Sequence, residues 1–414
     1  MKHFEIRLGE RPTPGGPPLS HIMVGAAVTS VAILGSDFPD LRPAFEVELG
    51  DTVSCGQVVF RDRKHREIAF VAPISGTVTT RAYGPRKTLS ALIITANGTD
   101  KAHHSYAALT DDAPDAIRSM LLERGLWPAY RTRPFGRIPD PDATPDAIFV
   151  NAMPPSHQVL EASIMLDGKD AEFRRGTQLI MQLTKGPVFV CHPPKAALIE
   201  PQGRIQLASF GGTRAAALTG THIDRLYPVG PDRTVWSIGY QDVAAIGHLA
   251  LTGEYNADRV VAVTGPRAHP PRLVRTCLGA DLVGIAGKDH AQLLSGDKTS
   301  GRDAMYLGRY HQEICVLPSH SVEPSRRRRW FSGLAPQPAA LIPTRALERA
   351  LAVDILPVPL LRALSIADTE GAERLGCLAL IEEDVAALSK ACTSGADYGA
   401  LLRDVLNTLK AEAA

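Results

Sequence analysis

Hydrophobic residues in the first quarter of the chain occur in short runs that are separated by Gly, Asp and Pro. Between Val31 and about Asn97, five such runs are rich in β-branched and aromatic residues, which is the pattern of short strands bounded by turns. The first 25 or so residues are rich in Pro and Gly and lack this pattern, so we expect them to be irregular. The predicted strands are FEVEL, QVVF, IAFV, GTVTT and LSALIITA.

After this β-rich region, the spacing of the apolar residues becomes helical. In DAIRSMLLERGLW, four apolar residues share one helical face, and Gly125 marks the end of the helix. The buried strand AIFVNA (Ala147–Ala152) is followed by the helical segment DAEFRRGTQLIMQLTKG and then by the strand PVFVCH. Strand, helix and strand in this order predict a crossover between parallel strands. The residues of the first helical face are Ile117, Met120, Leu121 and Leu122.

Helical and strand patterns continue to alternate toward the C-terminus. QDVAAIGHLALTG predicts a helix, DRVVAVTG predicts a strand that ends in a Gly-Pro turn, and the chain stays strand-rich to about Leu317. The stretch 318–345 has many Pro and Arg and few periodic signals, and the tail from Val358 is helical. One amphipathic stripe of that tail comprises Tyr398, Leu401, Leu402, Val405, Leu406 and Leu409.

Two half-motifs in the β-rich region, VELGDTVSCGQVVF (Val47–Phe60) and VAPISGTV (Val71–Val78), are typical of biotinyl and lipoyl carrier domains. A carrier presents a modifiable Lys framed by Met, whereas Lys64 in the intervening hairpin RDRKHRE stands among charged residues. The half-motifs therefore favour the fold of such a domain over its carrier function. The side chains expected to fill its interior are Val47, Val53, Val58, Phe70 and Val78.

Composition excludes several classes of function. The 414 residues carry 45 Lys and Arg against 44 Asp and Glu, so no basic excess indicates nucleic-acid binding. The six cysteines contain no C-x-x-C pair and the thirteen histidines no H-E-x-x-H motif, so we expect no metal or iron–sulfur site in this chain. No window approaches 18 uninterrupted apolar residues, so we expect no transmembrane segment.

A nucleotide site is not favoured either. AIFVNA is followed by MPPSHQ, which lacks a G-x-G-x-x-G motif and whose prolines remove the amide donors that a phosphate cradle uses. The glycine-rich segment FGGTRAAALTGTH (Phe210–His222) does not follow a clear strand in the sequence pattern. We therefore expect neither a dinucleotide nor a flavin there.

The segment AYRTRPFGRIP (Ala129–Pro139) is a candidate binding site. Arg131 and Arg133 alternate with the aromatic residues Tyr130 and Phe135, and guanidinium groups beside aromatic faces suit a flat ring that bears carbonyl groups. The alternative is an interdomain linker that is fixed by salt bridges. The basic run RRRRWF (Arg326–Phe331) suits acidic lipid headgroups or nucleic acid, although a solvated loop is the simpler interpretation.

Several stretches, taken in order, resemble the family of A subunits of sodium-translocating NADH:quinone oxidoreductases. They are ILGSDFPDLRP, VELGDTVSCGQVVFRDRK, VAPISGTV, ERGLWPAYRTRPFGRIP, LTGTHIDRLYPV, VWSIGYQDVAAIG, LTGEYNADRVVAVTGPRAHPPRLVRTCLGA, YLGRYHQEICVL and DYGALLRDVL. The segment VVAVTGPRAHPPRLVRT also resembles a β-grasp ligand-binding module shared with the C subunit of the related Rnf complex.

The resemblance implies a mixed α/β multidomain fold (α+β and α/β). It implies a barrel-sandwich hybrid domain of biotinyl/lipoyl type at residues 1–100, a Rossmann-like α/β domain at 101–257, a β-grasp domain at 258–330 and a C-terminal helical region at 331–414. It also implies a peripheral subunit at the cytoplasmic face of the bacterial inner membrane, in a translocase of the respiratory chain.

In that family the isolated subunit is not itself catalytic, and no redox cofactor is expected in this chain. Flavins and an iron–sulfur centre are expected in the partner subunits, lettered B to F, with the B subunit as the main partner and ubiquinone as a candidate ligand. Two stretches match those linked to quinone binding in the family, and the candidate residues in them are Leu34, Gly35, Phe38, Arg42, Tyr130, Arg131, Arg133, Pro134 and Phe135.

The chain departs from the family pattern at two places. Between Thr344 and Leu360 it lacks a Thr/Asn/Gly-rich insertion, and near the C-terminus SKACTSGADYG keeps only the Cys, Tyr and Gly of the family's TFVCPGKYEYG. These departures leave open the alternative that the chain is a binding module outside any pump. A flavin-dependent NADH dehydrogenase subunit is a further alternative, but the chain lacks the Gly-rich flavin loop and the Cys cluster that it requires.

Overall fold

The computed structural model describes residues 2–11, 19–98, 102–155, 159, 161–230, 232–287, 292–318 and 340–413. The basic run at 326–331, and most of the Pro/Arg-rich stretch around it, lie outside these residues. The strands are β1 Lys2–Ile6, β2 Ile22–Val24, β3 Ser30–Leu34, β4 Pro43–Phe45, β5 Thr52–Val53, β6 Val58–Asp62, β7 Ala69–Val71, β8 Gly76–Tyr83, β9 Leu89–Ala96, β10 Arg131–Arg133, β11 Ala147–Asn151, β12 Val188–His192, β13 Ile205–Gly212, β14 Val235–Gly239, β15 Asp258–Thr264, β16 Arg272–Cys277, β17 Gln292–Ser295, β18 Arg302–Asp303 and β19 Glu313–Leu317. The α-helices are α1 Pro114–Glu123, α2 Ala162–Leu166, α3 Asp170–Ile180, α4 Thr219–Leu226, α5 Tyr240–Thr252, α6 Leu282–Ala286, α7 Arg345–Ala350, α8 Pro357–Ser365, α9 Thr369–Arg374, α10 Glu382–Ala391 and α11 Tyr398–Glu412.

The β-rich region forms two small antiparallel sheets, with strand orders β3-β9-β8-β5 and β4-β6-β7. The predicted interior is confirmed at Val47, Val53, Phe70 and Val78, which are all buried, whereas Val58 is only partly buried. The predicted strand FEVEL is wrong beyond its first residue, because β4 ends at Phe45. The chain turns there instead, with the Asp51 carboxylate accepting a hydrogen bond from the Glu48 amide at 2.8 Å.

The expectation that the first 25 residues are irregular is wrong at residues 2–6 and 22–24, which form strands, and residues 12–18 lie outside the described part of the chain. β1 pairs in parallel with β13, and β2 pairs in parallel with β16, so each forms the edge of one of the two larger sheets. Phe4 of β1 stacks on Phe210 with a ring separation of 5.0 Å. β1 and β2 each pair with a strand that lies more than 200 positions away in the sequence. The local spacing of apolar residues does not reveal such a partner. The predicted divisions at residues 100, 257 and 330 remain predictions.

A six-stranded sheet in the order β1-β13-β12-β11-β14-β10 forms the centre of the second region. β11 and β12 are parallel and are joined through α2 and α3, so the predicted crossover is confirmed. Helix α3 packs along α5, and two glycines allow the close approach. A Cβ atom on Gly247 would lie 1.8 Å from the Glu172 carbonyl oxygen, and one on Gly176 would lie 1.9 Å from the Val243 carbonyl oxygen.

The third sheet is mixed, with strand order β18-β17-β19-β15-β16-β2. The last five helices, α7 to α11, build a separate apolar cluster that includes the predicted stripe of the tail. In that stripe Tyr398, Leu402, Val405, Leu406 and Leu409 are buried, and Leu401 is partly buried. The predicted face of α1 is confirmed as well, since all four of its apolar residues are buried.

Candidate functional site

The two stretches that were predicted to contact quinone lie against the same residue, Tyr310. The ring of Phe38 meets the ring of Tyr310 edge-on at 6.1 Å, and the guanidinium carbon of Arg131 lies 4.5 Å from the centre of that ring. Arg137 also forms an ion pair with Asp40, with a nitrogen–oxygen distance of 2.6 Å. Residues 34–42 and 130–137 therefore meet around Tyr310, and the solvent-accessible parts of these two stretches are called here the Tyr310 surface.

Sequence reasoning missed Tyr310, because it is distant in the sequence from both stretches. The hydroxyl group of Tyr310 donates a hydrogen bond to the carbonyl oxygen of Pro128 at 2.9 Å, which fixes the ring between the two stretches. Burial raises the pKa of Tyr310 above its usual value, so the hydroxyl stays protonated and donating at neutral pH. In the sequence, the only indication of this residue was the motif YLGRYHQEICVL, which contains it and resembles the family.

The first stretch begins directly after β3 with a short 3-10 turn, Gly35–Asp37. Gly35 is required by close packing, because a Cβ atom there would lie 1.7 Å from the carbonyl oxygen of Leu89. Leu34 and Gly35 are partly buried, Phe38 is buried and Arg42 is exposed. Of the candidates in this stretch, the arginine therefore offers the most accessible polar group.

Tyr130 is a core residue. Its ring is fully buried between Trp127 and Trp236, at ring separations of 5.8 and 5.4 Å. Burial raises its pKa, and its hydroxyl has no hydrogen-bond partner among the described residues. The Tyr130 side chain is therefore part of the core next to β10 and is not accessible to a ligand.

The two arginines of β10 differ in exposure. Both nitrogen–oxygen distances between Arg131 Nη2 and the Glu383 carboxylate are 3.2 Å, and the Arg131 side chain is 19% exposed. Arg133 is fully buried, with Nη2 3.3 Å from the Asp384 carboxylate and 3.9 Å from that of Glu383. Burial lowers the pKa of Arg133, and the neighbouring Asp384 carboxylate opposes that shift. These ion pairs attach the stretch to α10, as the linker interpretation expects for Arg133, whereas Arg131 keeps accessible surface.

The end of the second stretch faces the C-terminal helices. Pro134 is buried, and Phe135 is partly buried with a φ of +77°, a conformation that non-glycine residues adopt rarely. Arg403 of α11 donates to the Phe135 carbonyl oxygen at 2.6 Å, and the Lys410 amino group lies 6.0 Å from the ring centre. Phe135 is therefore held against α11 and away from Tyr130.

Two cavities adjoin the Tyr310 surface. The one beside Phe38, which Phe70 and Leu307 also line, has a volume of about 40 Å³, little more than the space of one water molecule. The other lies on the Arg131 side of Tyr310 and has a volume of about 180 Å³. Ordinary ligand pockets span roughly 300–1,000 Å³, so neither cavity is large enough for a dinucleotide or a flavin.

The glycine-rich segment 210–222 does follow a strand, contrary to the sequence interpretation, since β13 runs into it without a break. Its first glycines serve strand pairing. A Cβ atom on Gly212 would lie 2.1 Å from the Ile6 carbonyl oxygen of β1, and one on Gly211 would lie 3.0 Å from the Glu5 carboxylate. The glycines therefore admit β1 to the sheet, and they do not form a phosphate cradle.

Within the described part of the chain, no group of three or more His, Cys, Asp or Glu side chains is placed to hold a metal ion. The same residues contain no helix that is both long and apolar enough to cross a bilayer. All six cysteines are buried.

Three family models match successive parts of the chain. They are described as the NqrA N-terminal barrel-sandwich hybrid domain, at residues 13–97, the NqrA second alpha/beta domain, at 113–255, and the NQRA C-terminal domain, at 260–305. The barrel-sandwich hybrid expected for the N-terminal region is thus confirmed, within a mixed α/β multidomain chain.

Full-length relatives carry the same description. A protein of Neisseria meningitidis serogroup A, named as the A subunit of the Na(+)-translocating NADH-quinone reductase, is 37% identical over 451 aligned positions, covering 99% of this chain and 100% of the relative. A protein of the same name from Shewanella frigidimarina is 37% identical over 97% of this chain and 98% of the relative. A third, from Saccharophagus degradans, is 35% identical over 99% of this chain.

Proposed function

The chain belongs to the family of A subunits of the Na(+)-translocating NADH-quinone reductase, and we propose that it acts as that subunit in a pump that couples quinone reduction by NADH to sodium translocation. The observation that carries the proposal is the match to named subunits along almost their whole length, with the three family domains in the same order.

The role that the geometry supports is docking. We propose that the chain binds at the cytoplasmic face of the membrane, mainly to the B subunit, and that flavins and an iron–sulfur centre belong to partner subunits. Arg42 is exposed and Arg131 keeps accessible surface on the neighbouring stretch, which suits contact with a partner protein. The parallel order β13-β12-β11-β14 supports a Rossmann-like second domain, and the mixed sheet beside α6 supports a β-grasp third domain.

The quinone-facing part of the proposal rests on the Tyr310 surface. Arg131 lies over an aromatic ring, and its Nε and Nη1 groups make no hydrogen bond within the described part of the chain. Arg42 is exposed on the neighbouring stretch. Such guanidinium groups donate to the carbonyl oxygens of a quinone ring. We propose that the quinone ring contacts the Tyr310 surface without entering the small cavity at Phe38.

Purification of the tagged full-length chain from native membranes tests the docking role. We expect integral membrane subunits of the same reductase, including one that carries covalently bound flavin, to be recovered in fixed proportion with the chain. The tagged chain washed with high salt serves as the control for loosely bound protein. Recovery of the chain from the cytosol alone, without those subunits, would show a binding module outside any pump.

Photolabelling of the purified complex with a reactive ubiquinone analogue tests the Tyr310 surface. We expect Arg131→Gln to lower labelling of this chain by about tenfold, because a hydrogen bond to a charged group contributes about 1.5–3 kcal/mol. Arg233→Gln is the matched control, since Arg233 also lies over an aromatic ring, that of Tyr227 at 5.2 Å, but outside both stretches. Equal labelling of the two variants would remove the quinone assignment and leave the docking role intact.

A further inference from the structure

The larger cavity lies where the strand order of the parallel sheet reverses. From β11 the chain moves to β12 and then β13, and it then returns to place β14 on the other side of β11. Asn151 at the end of β11 and Gly239 at the end of β14 both line the cavity. In open α/β sheets, ligands bind outside the carboxyl ends of the strands at such a reversal.

Three parts of the molecule close this cleft. The parallel sheet contributes the ends of β11 and β14, the segments that connect strands of the third sheet contribute Gly296, Asp297, Ser300 and residues 309–313, and α10 contributes Glu383. The volume of about 180 Å³ corresponds to roughly six water molecules. The space therefore suits a small metabolite.

Four arginines line the cleft, and three of them are held by carboxylates and a hydroxyl group within it. Arg309 donates to both oxygens of Asp242, at 3.2 and 2.9 Å, and Arg259 shares the same carboxylate, so two cations face one anion. Arg214 is oriented by Asp297 and by the Ser300 hydroxyl at 2.8 Å. These partners fix the guanidinium planes in advance, which lowers the cost of ordering them around a ligand.

The charges do not cancel. Four arginines line the cleft together with four carboxyl groups. Burial raises the pKa of Glu313 to about 8, which favours the neutral form of this carboxyl group at pH 7. The other three carboxyl groups stay ionised, because although burial raises their pKa values, the neighbouring arginines hold those values below the usual range. Because Arg259 and Arg309 share the single carboxylate of Asp242, the ion pairs leave an excess of positive charge in the cleft.

Helix α5 adds to the positive potential. It begins at the cleft, its N-cap residue is Gly239, and no side chain caps its first amide groups. A helix N-terminus carries a partial positive charge of about half an elementary charge. It therefore favours the same sign of ligand as the arginines do.

We propose that this cleft, between the ends of β11 and β14 and the arginines that line it, binds a small organic carboxylate with a single negative charge. A planar carboxylate is a group that guanidinium N–H donors bind well, and the apolar side chains of Met153, Leu218 and Ile238 line the part of the cleft that would contact the body of the ligand. The proposal does not rest on the quinone-facing role. Arg131 and Tyr310 line both places, so neither is changed in the test.

The test uses the full-length chain and ligand-observed NMR titrations with benzoate, phenyl phosphate and benzyl alcohol. We expect benzoate to bind at least tenfold more tightly than the uncharged benzyl alcohol, and more tightly than phenyl phosphate, whose charge is close to −2. Equal affinity for benzoate and benzyl alcohol would overturn the proposal, and so would tighter binding of phenyl phosphate.

Gly239→Leu is the variant that blocks the cleft. A Cβ atom on Gly239 would lie 3.4 Å from Gln312 Nε2 and 3.5 Å from Asp242 Oδ2, so the backbone accepts a side chain there, which then projects among residues that line the cleft. We expect benzoate binding to fall at least tenfold. Gly239→Ala, which adds only the Cβ atom, is the second variant and is expected to weaken binding less. Gly230→Leu is the matched control, since no atom lies within 4 Å of a Cβ atom at that position. Unchanged binding to Gly239→Leu would place the ligand elsewhere and contradict the proposal.

Discussion

Gly247→Ala is expected to destabilise the protein by about 3 kcal/mol or more, although alanine in place of glycine ordinarily strengthens a helix by about 1 kcal/mol. The new Cβ atom would lie 1.8 Å from the Glu172 carbonyl oxygen and 2.8 Å from the Gly176 amide nitrogen, both of them backbone atoms of α3. Backbone atoms cannot rotate aside, so α3 and α5 must separate. The apolar contacts between the two helices would be lost over their length.

Urea denaturation followed by circular dichroism measures this effect through the midpoint of unfolding. Gly176→Ala should behave like Gly247→Ala, because its Cβ atom would lie 1.9 Å from the Val243 carbonyl oxygen of α5. Gly230→Ala, which adds the same atom in open space, is expected to leave the midpoint within experimental error. A midpoint for Gly247→Ala equal to that of the control would show that the two helices are not in close contact.

Arg133→Met is the second substitution with a large expected effect. Arg133 is fully buried, and its removal would leave the Asp384 carboxylate, which is 2% exposed, without its cation. Breaking a buried ion pair on one side costs about 3–5 kcal/mol. Because Asp384 belongs to α10, we expect the C-terminal helices to loosen first, with faster proteolytic cleavage after about residue 380 and a lower denaturation midpoint.

The double variant Arg133→Met with Asp384→Asn provides the control. It removes both charges and keeps the oxygen that accepts the Ile381 amide at 2.9 Å, so most of the lost stability should return. If the double variant is no more stable than Arg133→Met, the loss of stability comes from the packing of the arginine side chain. Since Arg133 holds the fold, substitutions at this position cannot report on quinone contact, and Arg131 is the residue to change for that purpose.

The sequence predicted those elements whose pattern is local. α1 and α11 each place apolar residues at helical spacing on a face that packs against the rest of the chain, so their burial followed from the spacing alone. The crossover from β11 to β12 was recognisable because its strands are continuous apolar runs. FEVEL misled because its apolar positions alternate like those of a strand, although the Asp51 side chain favours a turn there.

The candidate site was only partly accessible to such reasoning. The motifs located both stretches, and the contact of Arg131 with a quinone stays a prediction, but Tyr130 and Arg133 are buried structural groups. Tyr310, which joins the stretches, lies more than 170 positions from either of them. The cleft between β11 and β14 was missed because its four arginines come from four separate segments of the chain.

The sequence by itself determined the family, the amphipathic elements and the absence of a phosphate-binding glycine motif after β11, since each of these depends on residues within a few tens of positions. Tertiary structure alone decided which arginines are buried against α10, which glycines permit close packing, and how β1 and β2 complete distant sheets. Those outcomes depend on backbone pairing and on charges that meet only after the chain has folded, and the hydrophobic pattern carries no record of either.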